Sequence, residues 1–157
     1  MMQAYQRSYQ KYTVQSSSPE DIMLQLMEGG VSRLNRARAC WTDGEETRAR
    51  ELRSQALAII TELDSSLDRE NGPKDVVDEL EALYAYMERE IAASAPKDDF
   101  DRLQPVQEVF ESIHRAFEAA TAEYKQDQAQ EAQEEAVPAP EVDADAPRVE
   151  GALNLQM

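Results

Sequence analysis

Four separate stretches of this chain repeat apolar residues every three or four positions, and this repeat constrains the fold more than any other feature. No stretch shows the sustained alternation of apolar and polar residues that a half-buried strand requires, so the pattern predicts helices only. The four sets are Ile22, Leu26, Leu34, Ala37 and Trp41; Leu52, Ala56, Ile59, Leu63 and Leu67; Val76, Leu80, Leu83, Met87 and Ile91, flanked by Val77 and Tyr84; and Leu103, Val106, Phe110, Ile113, Phe117 and Tyr124.

Helix-start and helix-stop residues separate these stretches. Ser18-Pro19-Glu20-Asp21 is typical of a helix start, because Ser caps the first turn and Pro fits its first position. The breaks at Thr42-Asp43-Gly44, Asn71-Gly72-Pro73 and Ala95-Pro96 leave connections of only a few residues. Short connections favour antiparallel neighbours, so we expect an all-α, up-and-down four-helix bundle. Pro105 predicts a kink or a restart of the last helix at Leu103 to Pro105.

The bundle is expected over residues 18–125, and the two ends differ from it in composition. In residues 1–17, Tyr5, Tyr9 and Tyr12 are spaced to form one aromatic face, and this arm either packs on the bundle or is an extended terminus. Residues 126–157 are rich in Gln, Glu, Ala and Pro and contain no aromatic residue, which predicts a disordered acidic tail.

Charge and composition exclude several classes of protein. The chain has 32 acidic and 16 basic side chains, a net charge of −16, one Cys and one His. Nucleic acid would be repelled by so acidic a chain, and one Cys and one His cannot build a disulfide or a structural zinc site. No apolar run is long enough to span a membrane and the first residues do not resemble a signal peptide, so a cytoplasmic protein is expected.

The residues that could carry chemistry do not form a catalytic pattern. Glu111 and His114 have the Glu-x-x-His spacing of di-iron bundles, but those proteins use two such pairs and this chain has one. Both residues flank the apolar face of the fourth stretch, where a hydrated pair needs no metal. Cys40 fits a small half-buried apolar residue better than a nucleophile. We therefore expect no enzyme activity, no cofactor and no bound metal.

The first helix carries more apolar residues than one core-facing stripe requires. Leu24, Met27 and Val31 form a second stripe further around it, and Leu57 and Tyr86 point away from the stripes of their own helices. Gly29-Gly30 lowers helix propensity, which indicates that another group approaches the backbone there. Either the first helix is buried on both sides, or the second stripe lines a groove for another helix, with acidic residues at its rim.

Three sequence blocks resemble the flagellar secretion chaperone FliS family. The first is Ser18-Pro-Glu-Asp-Ile-Met-Leu-Gln-Leu-Met-Glu-Gly-Gly30 with Leu34-Asn-Arg-Ala-Arg38. The others are Ala56-Leu-Ala-Ile-Ile60 leading to Ser66-Leu-Asp68, and Leu80-Glu-Ala-Leu-Tyr-Ala-Tyr-Met87. Tyr9-Gln10 also matches the usual opening, and the likeness extends from about Tyr9 to Ala120. Met27, Phe117 and Asn71-Gly72-Pro73 depart from the family pattern, and residues after about Lys125 have no counterpart.

The resemblance implies a non-enzymatic helical-bundle chaperone that binds the C-terminal segment of flagellin in the cytoplasm. It also implies that the chaperone prevents premature polymerisation and supports delivery to the flagellar export apparatus. A structural homodimer and a ferritin-like metalloenzyme are the alternatives, and the single Glu-x-x-His counts against the latter. Tyr84 equally fits the core. The candidate client-binding residues are Tyr5, Tyr9, Leu24, Met27, Val31, Leu57, Tyr84 and Tyr86.

Overall fold

The four apolar stretches form four helices in a computed structural model that describes residues 18–136. The aromatic arm, with Tyr5, Tyr9 and Tyr12, and residues 137–157 lie outside the described residues. Within the described part there is no strand, so the prediction of an all-α bundle is confirmed. The elements are α1 (Pro19–Thr42), α2 (Glu46–Ser65), α3 (Lys74–Ser94), a short 3₁₀ turn (Phe100–Arg102) and α4 (Leu103–Ala136).

Both ends of α1 follow the local sequence. The backbone N–H of Asp21 donates to Ser18 Oγ at 3.2 Å, and the Ser18 N–H donates to Asp21 Oδ2 at 3.4 Å. This reciprocal pair is the capping box that the sequence predicts, with Pro19 in the first turn. At the other end the helix stops at Thr42, and Gly44 takes a left-handed φ of 83° that favours glycine.

One apolar core joins all four helices. Its members come from each apolar stretch and have little or no exposed surface: Met27, Leu34, Ala37, Ala49, Leu52, Ala56, Ile60, Leu63, Leu80, Tyr84, Met87, Ile91, Phe100, Leu103, Val106, Phe110 and Ile113. Gly30 lies on the buried stripe of α1, and a Cβ placed there would meet Phe110 Cε2 at 2.4 Å. The close approach predicted from Gly29-Gly30 is therefore confirmed at Gly30.

In three of the stripes most predicted members are buried, but single positions differ from the prediction. In α1 Met27 joins Leu34 and Ala37 in the core, while Ile22 is 41% exposed. In α3 Val77 is buried and Val76 is 47% exposed. In α2 Ile60 is fully buried, and Ile59 only packs against the edge of the core. Adjacent apolar residues differ by about 100° around a helix, so packing against neighbouring helices decides which one is buried.

The connection between α3 and α4 contributes its own core residue. Phe100, in the 3₁₀ turn, is almost fully buried, although it belongs to none of the four periodic stretches. The helix restarts at Leu103, which leaves Pro105 in the first turn, where an N–H has no intrahelical partner. The predicted restart at Leu103 to Pro105 is confirmed.

The described residues fall into two compact units, 18–117 and 118–136. The second unit consists of the continuation of α4, which extends past Lys125 to Ala136. Gln126 to Ala136 is therefore helical, where the sequence predicted disorder. Gln, Glu and Ala have high helix propensity, and elongating an existing helix avoids the cost of nucleation.

Candidate functional site

The first helix presents apolar residues on both sides of its buried stripe. At about 100° per residue, Leu24 and Val31 lie on one side of Met27 and Leu34, and Ile22 lies on the other. Leu24 and Val31 are half-buried and Ile22 is exposed. A helix that packs through one stripe alone would not carry apolar residues on both flanks, so these flanks are the first candidate for a binding surface.

Polar contacts identify the neighbour on each flank of α1. On one side the Arg38 guanidinium donates to Gln107 Oε1 at 3.1 Å and to Gln104 Oε1 at 3.2 Å, both on α4. On the other side Arg33 Nε donates to Gln55 Oε1 on α2 at 3.1 Å. At about 100° per residue, Leu24 and Val31 lie on the same side of α1 as Arg38, which is the side that faces α4.

A groove runs between α1 and α2 on the Arg33 side. Its volume is about 390 Å³, and it is lined by Ile22, Gln25, Leu26, Gly29, Arg33 and Ile59. Arg33 Nη1 also donates to the Gly29 carbonyl oxygen at 3.1 Å, which holds the guanidinium across one end. The sequence assigned Ile22, Leu26 and Ile59 to core stripes and so missed this groove. The Gly29-Gly30 pair was the available signal, because a missing side chain leaves room on a helix surface.

Two of the candidate client-binding residues belong to the core. Met27 has no exposed surface and Tyr84 is 2% exposed. Burial, together with the nearby Asp64 carboxylate, raises the pKa of Tyr84 to about 12, so its phenol stays protonated. The expectation that Met27 lines a surface groove is corrected, because the rotation of α1 directs this side chain inward. Both side chains therefore belong to the core.

The remaining described candidates lie on different helices. Leu57 on α2 and Tyr86 on α3 are half-buried and pack against the edge of the core, as Val31 does. The Arg89 guanidinium lies 5.8 Å from the centre of the Tyr86 ring, which leaves this ring beside a cation. The helices therefore distribute Leu24, Val31, Leu57 and Tyr86 over several seams of the bundle rather than in one pocket.

An arginine and aromatic cluster, which periodicity does not predict, lies at one end of the bundle. Arg53, only 7% exposed, donates to Asp98 Oδ1 at 3.0 Å and to the Ser94 carbonyl oxygen at 3.4 Å. Its guanidinium lies 4.6 Å from the centre of the Phe100 ring, and Phe100 stacks on Trp41 at the same distance. A charged side chain such as Arg53 is expected to be exposed even when it lies on an apolar stripe. Periodicity therefore did not predict that Arg53 is buried.

Asp98 is the carboxylate at the centre of this Arg53 cluster. Its φ of 51° is in the left-handed region, which Asp tolerates better than most residues. Hydrogen bonds from Arg50, and then from Arg53, lower the pKa of Asp98 against the opposing effect of partial burial. The cluster fixes the connection that leads into α4 and so positions α4 against α1.

Within residues 18–136 the groups with possible reactivity lie apart from one another. Burial, and then the neighbouring Glu45 carboxylate, raise the pKa of the half-buried Cys40 thiol, which disfavours the nucleophilic thiolate. Glu111 accepts a hydrogen bond from Gln107 at 3.4 Å. Among residues 18–136, no three His, Cys, Asp or Glu side chains are grouped closely enough to hold a metal ion. Nor does this part of the chain contain a helix long and apolar enough to cross a membrane.

Comparison with known proteins agrees with the sequence blocks. Residues 1–124 match the family described as flagellar protein FliS. The flagellar secretion chaperone FliS of Vibrio cholerae is 31% identical over 115 residues, which cover 73% of this chain and 84% of that protein. The flagellar secretion chaperone FliS of Salmonella typhimurium is 29% identical over 116 residues, covering 73% of this chain and 85% of that protein. The chain belongs to the FliS family.

Proposed function

We propose that this flagellar export chaperone binds the C-terminal segment of flagellin in the cytoplasm, prevents its premature polymerisation and supports its delivery to the export apparatus. The observation that carries the proposal is the double-sided apolar surface of α1. Met27, Leu34 and Ala37 supply its contacts to the core, whereas Leu24, Val31 and Ile22 keep part of their surface in solvent. A contiguous exposed apolar patch marks an interaction surface, and these side chains would form such a patch on α1.

The distribution of the candidate residues suits a client that folds on binding. Leu24, Val31, Leu57 and Tyr86 lie on several seams, so a client that contacts all of them follows the surface of the bundle. An amphipathic segment that orders on binding gives up part of its interaction energy, which keeps the complex reversible for hand-over. Tyr5 and Tyr9, in the arm outside the described residues, would add aromatic contacts.

Binding of a flagellin C-terminal peptide to the full chain tests this proposal. Leu24→Ser combined with Val31→Ser should weaken binding at least tenfold, because the α4-side flank of α1 loses its apolar contacts. Val76→Ser is the matched control: it removes an exposed apolar side chain of α3, outside the α1 surface, and should change affinity less than twofold. Isothermal titration calorimetry measures the affinities, and circular dichroism checks that the variants stay folded.

A Met27 variant, studied in the same experiment, tests whether this residue belongs to the core or to the binding surface. Met27→Ala should lower the free energy of unfolding by roughly 2–5 kcal/mol, because it leaves a cavity in the core. A fully stable Met27→Ala variant that loses peptide binding would contradict our assignment of Met27 to the core. Absence of peptide binding by the wild-type chain would contradict the proposed function and would favour a structural homodimer. We propose no enzymatic step.

A further inference from the structure

A second apolar groove, between α3 and α4, shares no residue with the candidate client-binding set. Its volume is about 310 Å³, enough for a few large side chains. The walls are mostly apolar: Val76, Leu80 and Leu83 of α3, with Glu79 at the rim, and Ser112, Ile113, Ala116 and Phe117 of α4. Val76 is 47% exposed, and Leu83 and Phe117 are half-buried, so the groove opens to solvent.

Acidic residues border this groove along α3. By helical rotation Asp75 and Glu79 lie on the same side of α3 as Val76 and Leu83, and both are exposed. Within residues 18–136 neither carboxylate has an ion-pair or hydrogen-bond partner, whereas neighbouring Asp78 is paired with Lys74 at 3.1 Å. Asp75 lies in the first turn, where a negative charge also complements the helix dipole, but Glu79 lies beyond it. The rim therefore offers unpaired negative charge.

The α4 rim is nearly uncharged, and it sets the orientation of any occupant. Ser112 and Ala116 line it, and the Arg115 guanidinium contacts it, since Arg115 Nη2 donates a hydrogen bond to Ser112 Oγ at 3.5 Å. A positively charged occupant is thus favoured along α3 and disfavoured beside Arg115. An apolar floor with acid on one rim only matches a helix that has one apolar face and basic residues along one edge.

We propose that the α3–α4 groove is a docking site for a cationic amphipathic helix of a partner protein. Two apolar side chains of this helix, spaced one turn apart, would enter between Leu83 and Phe117, and Lys or Arg residues would lie beside Asp75 and Glu79. A second copy of this chain fits poorly, because a two-fold contact through the groove would bring the acidic rims of both copies together. This inference does not depend on flagellin binding.

Titration of the full chain with a synthetic 18-residue helix of Leu and Lys tests the proposal. The Leu residues form one face, and a peptide with Ala in place of Leu matches its charge and helix propensity. We expect the Leu/Lys peptide to bind at least tenfold more tightly than the Ala/Lys peptide. Ala116→Trp fills the groove from an exposed position and should weaken Leu/Lys binding at least tenfold. Ile22→Ser, on α1, is the control and should change it less than twofold.

Two matched double variants test the contribution of the acidic rim to binding of the Leu/Lys peptide. Asp75→Asn with Glu79→Gln should weaken Leu/Lys binding severalfold and reduce its dependence on salt, since salt screens exposed charges. Glu45→Gln with Asp101→Asn removes the same charge away from the groove and should have little effect. Equal effects of the two pairs would show that only net charge matters and would overturn the proposal. Equal binding of the two peptides, or normal binding by Ala116→Trp, would also overturn it.

Two other occupants of the α3–α4 groove would give different results in these experiments. A concentration-dependent dimer that Ala116→Trp abolishes would assign the groove to a second copy and overturn the proposal. The arm carries Arg7 and Lys11 beside its tyrosines, so it has similar chemistry. If the Leu/Lys peptide binds only after Tyr5, Tyr9 and Tyr12 are replaced by Ser in the full chain, the groove belongs to the arm and the proposal fails.

Discussion

Two adjacent glycines on α1 differ in what a side chain would meet, and this difference shows how closely α1 and α4 pack. At Gly30 an added Cβ would lie 2.4 Å from Phe110 Cε2 and 2.8 Å from Phe110 Cζ, and Phe110 is fully buried. At Gly29 it would lie 3.0 Å from Arg33 Nη1, the mobile end of a long side chain. Only the first contact involves a group that the surrounding core holds in place.

We therefore predict opposite effects of alanine at these two positions. Gly30→Ala should lower the free energy of unfolding by about 1–3 kcal/mol, because the Phe110 ring must shift within a packed core. Gly29→Ala should leave it unchanged or raise it by up to about 1 kcal/mol, because Ala has the higher helix propensity. Urea unfolding followed by circular dichroism measures both. A Gly30→Ala variant as stable as Gly29→Ala would show that the helices can separate locally.

Asp98 allows a pH-dependent prediction at the scale of one residue. Hydrogen bonds from Arg50 and Arg53 lower its pKa in the folded state, so its stabilising effect is present above the ordinary pKa of Asp, near 3.9. That effect is lost as the pH falls through the lower, folded-state pKa. Asp98→Asn retains a residue that tolerates the left-handed backbone but removes the charge. We expect it to lower the urea midpoint at pH 6 and to differ less from wild type at pH 3.

The single tryptophan provides the measurement for this variant. Trp41 stacks on Phe100, so its fluorescence reports the connection that Asp98 holds. Glu46→Gln is the control, because Glu46 is a more exposed partner of the same Arg50 at 3.4 Å, and such pairs contribute little. If Glu46→Gln and Asp98→Asn shift the midpoint equally, the buried Arg53 does not depend on the Asp98 carboxylate.

At the scale of elements, the sequence predicted the existence and order of the helices and most of their buried residues, but not the exact rotation of each helix. Capping residues and turn residues act locally. The start of α1 at Ser18, its end before Gly44 and the start of α4 at Leu103 could therefore be predicted. The choice between Val76 and Val77, by contrast, depends on where α3 meets its neighbours. This rotation also decides which apolar residues are left to form a surface. Met27 was therefore assigned to the client-binding surface and Ile22 to the core, the reverse of their burial.

Long-range contacts outside the periodic stretches also could not be predicted from the sequence. Phe100 enters the core from a 3₁₀ turn, and the buried Arg53 is compensated by Asp98, which lies 45 positions away. No local pattern links such residues, because their contact exists only after the helices have packed. The α3–α4 groove has the same origin, since it is formed by residues of two helices.

Helix α4 should be unequally stable along its length. Leu103, Val106, Phe110 and Ile113 are buried, whereas the side chains from Ala122 to Glu135 are exposed. Exposed helix of this length is held by propensity alone, which is marginal in water. We predict strong protection from amide hydrogen exchange at Phe110 and Ile113 and weak protection from Asp127 to Glu135. Equal protection in both regions, measured by NMR, would mean that the outer turns have stabilising contacts beyond the helix itself.

At the scale of the whole molecule, the dominant property is an excess of negative charge. The chain carries a net charge of −16, and within residues 18–136 acidic side chains outnumber basic ones. Most ion pairs in this part involve exposed groups, such as Arg48 with Glu51 and Lys74 with Asp78, and so stabilise little. Like-charge repulsion should therefore outweigh these attractions in the folded state.

This balance predicts that salt stabilises the protein. Between 0.01 M and 0.15 M salt the screening length falls from about 30 Å to about 8 Å, which weakens repulsion across the whole bundle. We expect the melting temperature to rise by roughly 2–4 °C, equivalent to about 1 kcal/mol. Asp75→Asn with Glu79→Gln removes two unpaired carboxylates and should reduce this rise. A melting temperature that falls with salt would mean that the surface ion pairs, rather than the excess acidic charge, control the stability of the bundle.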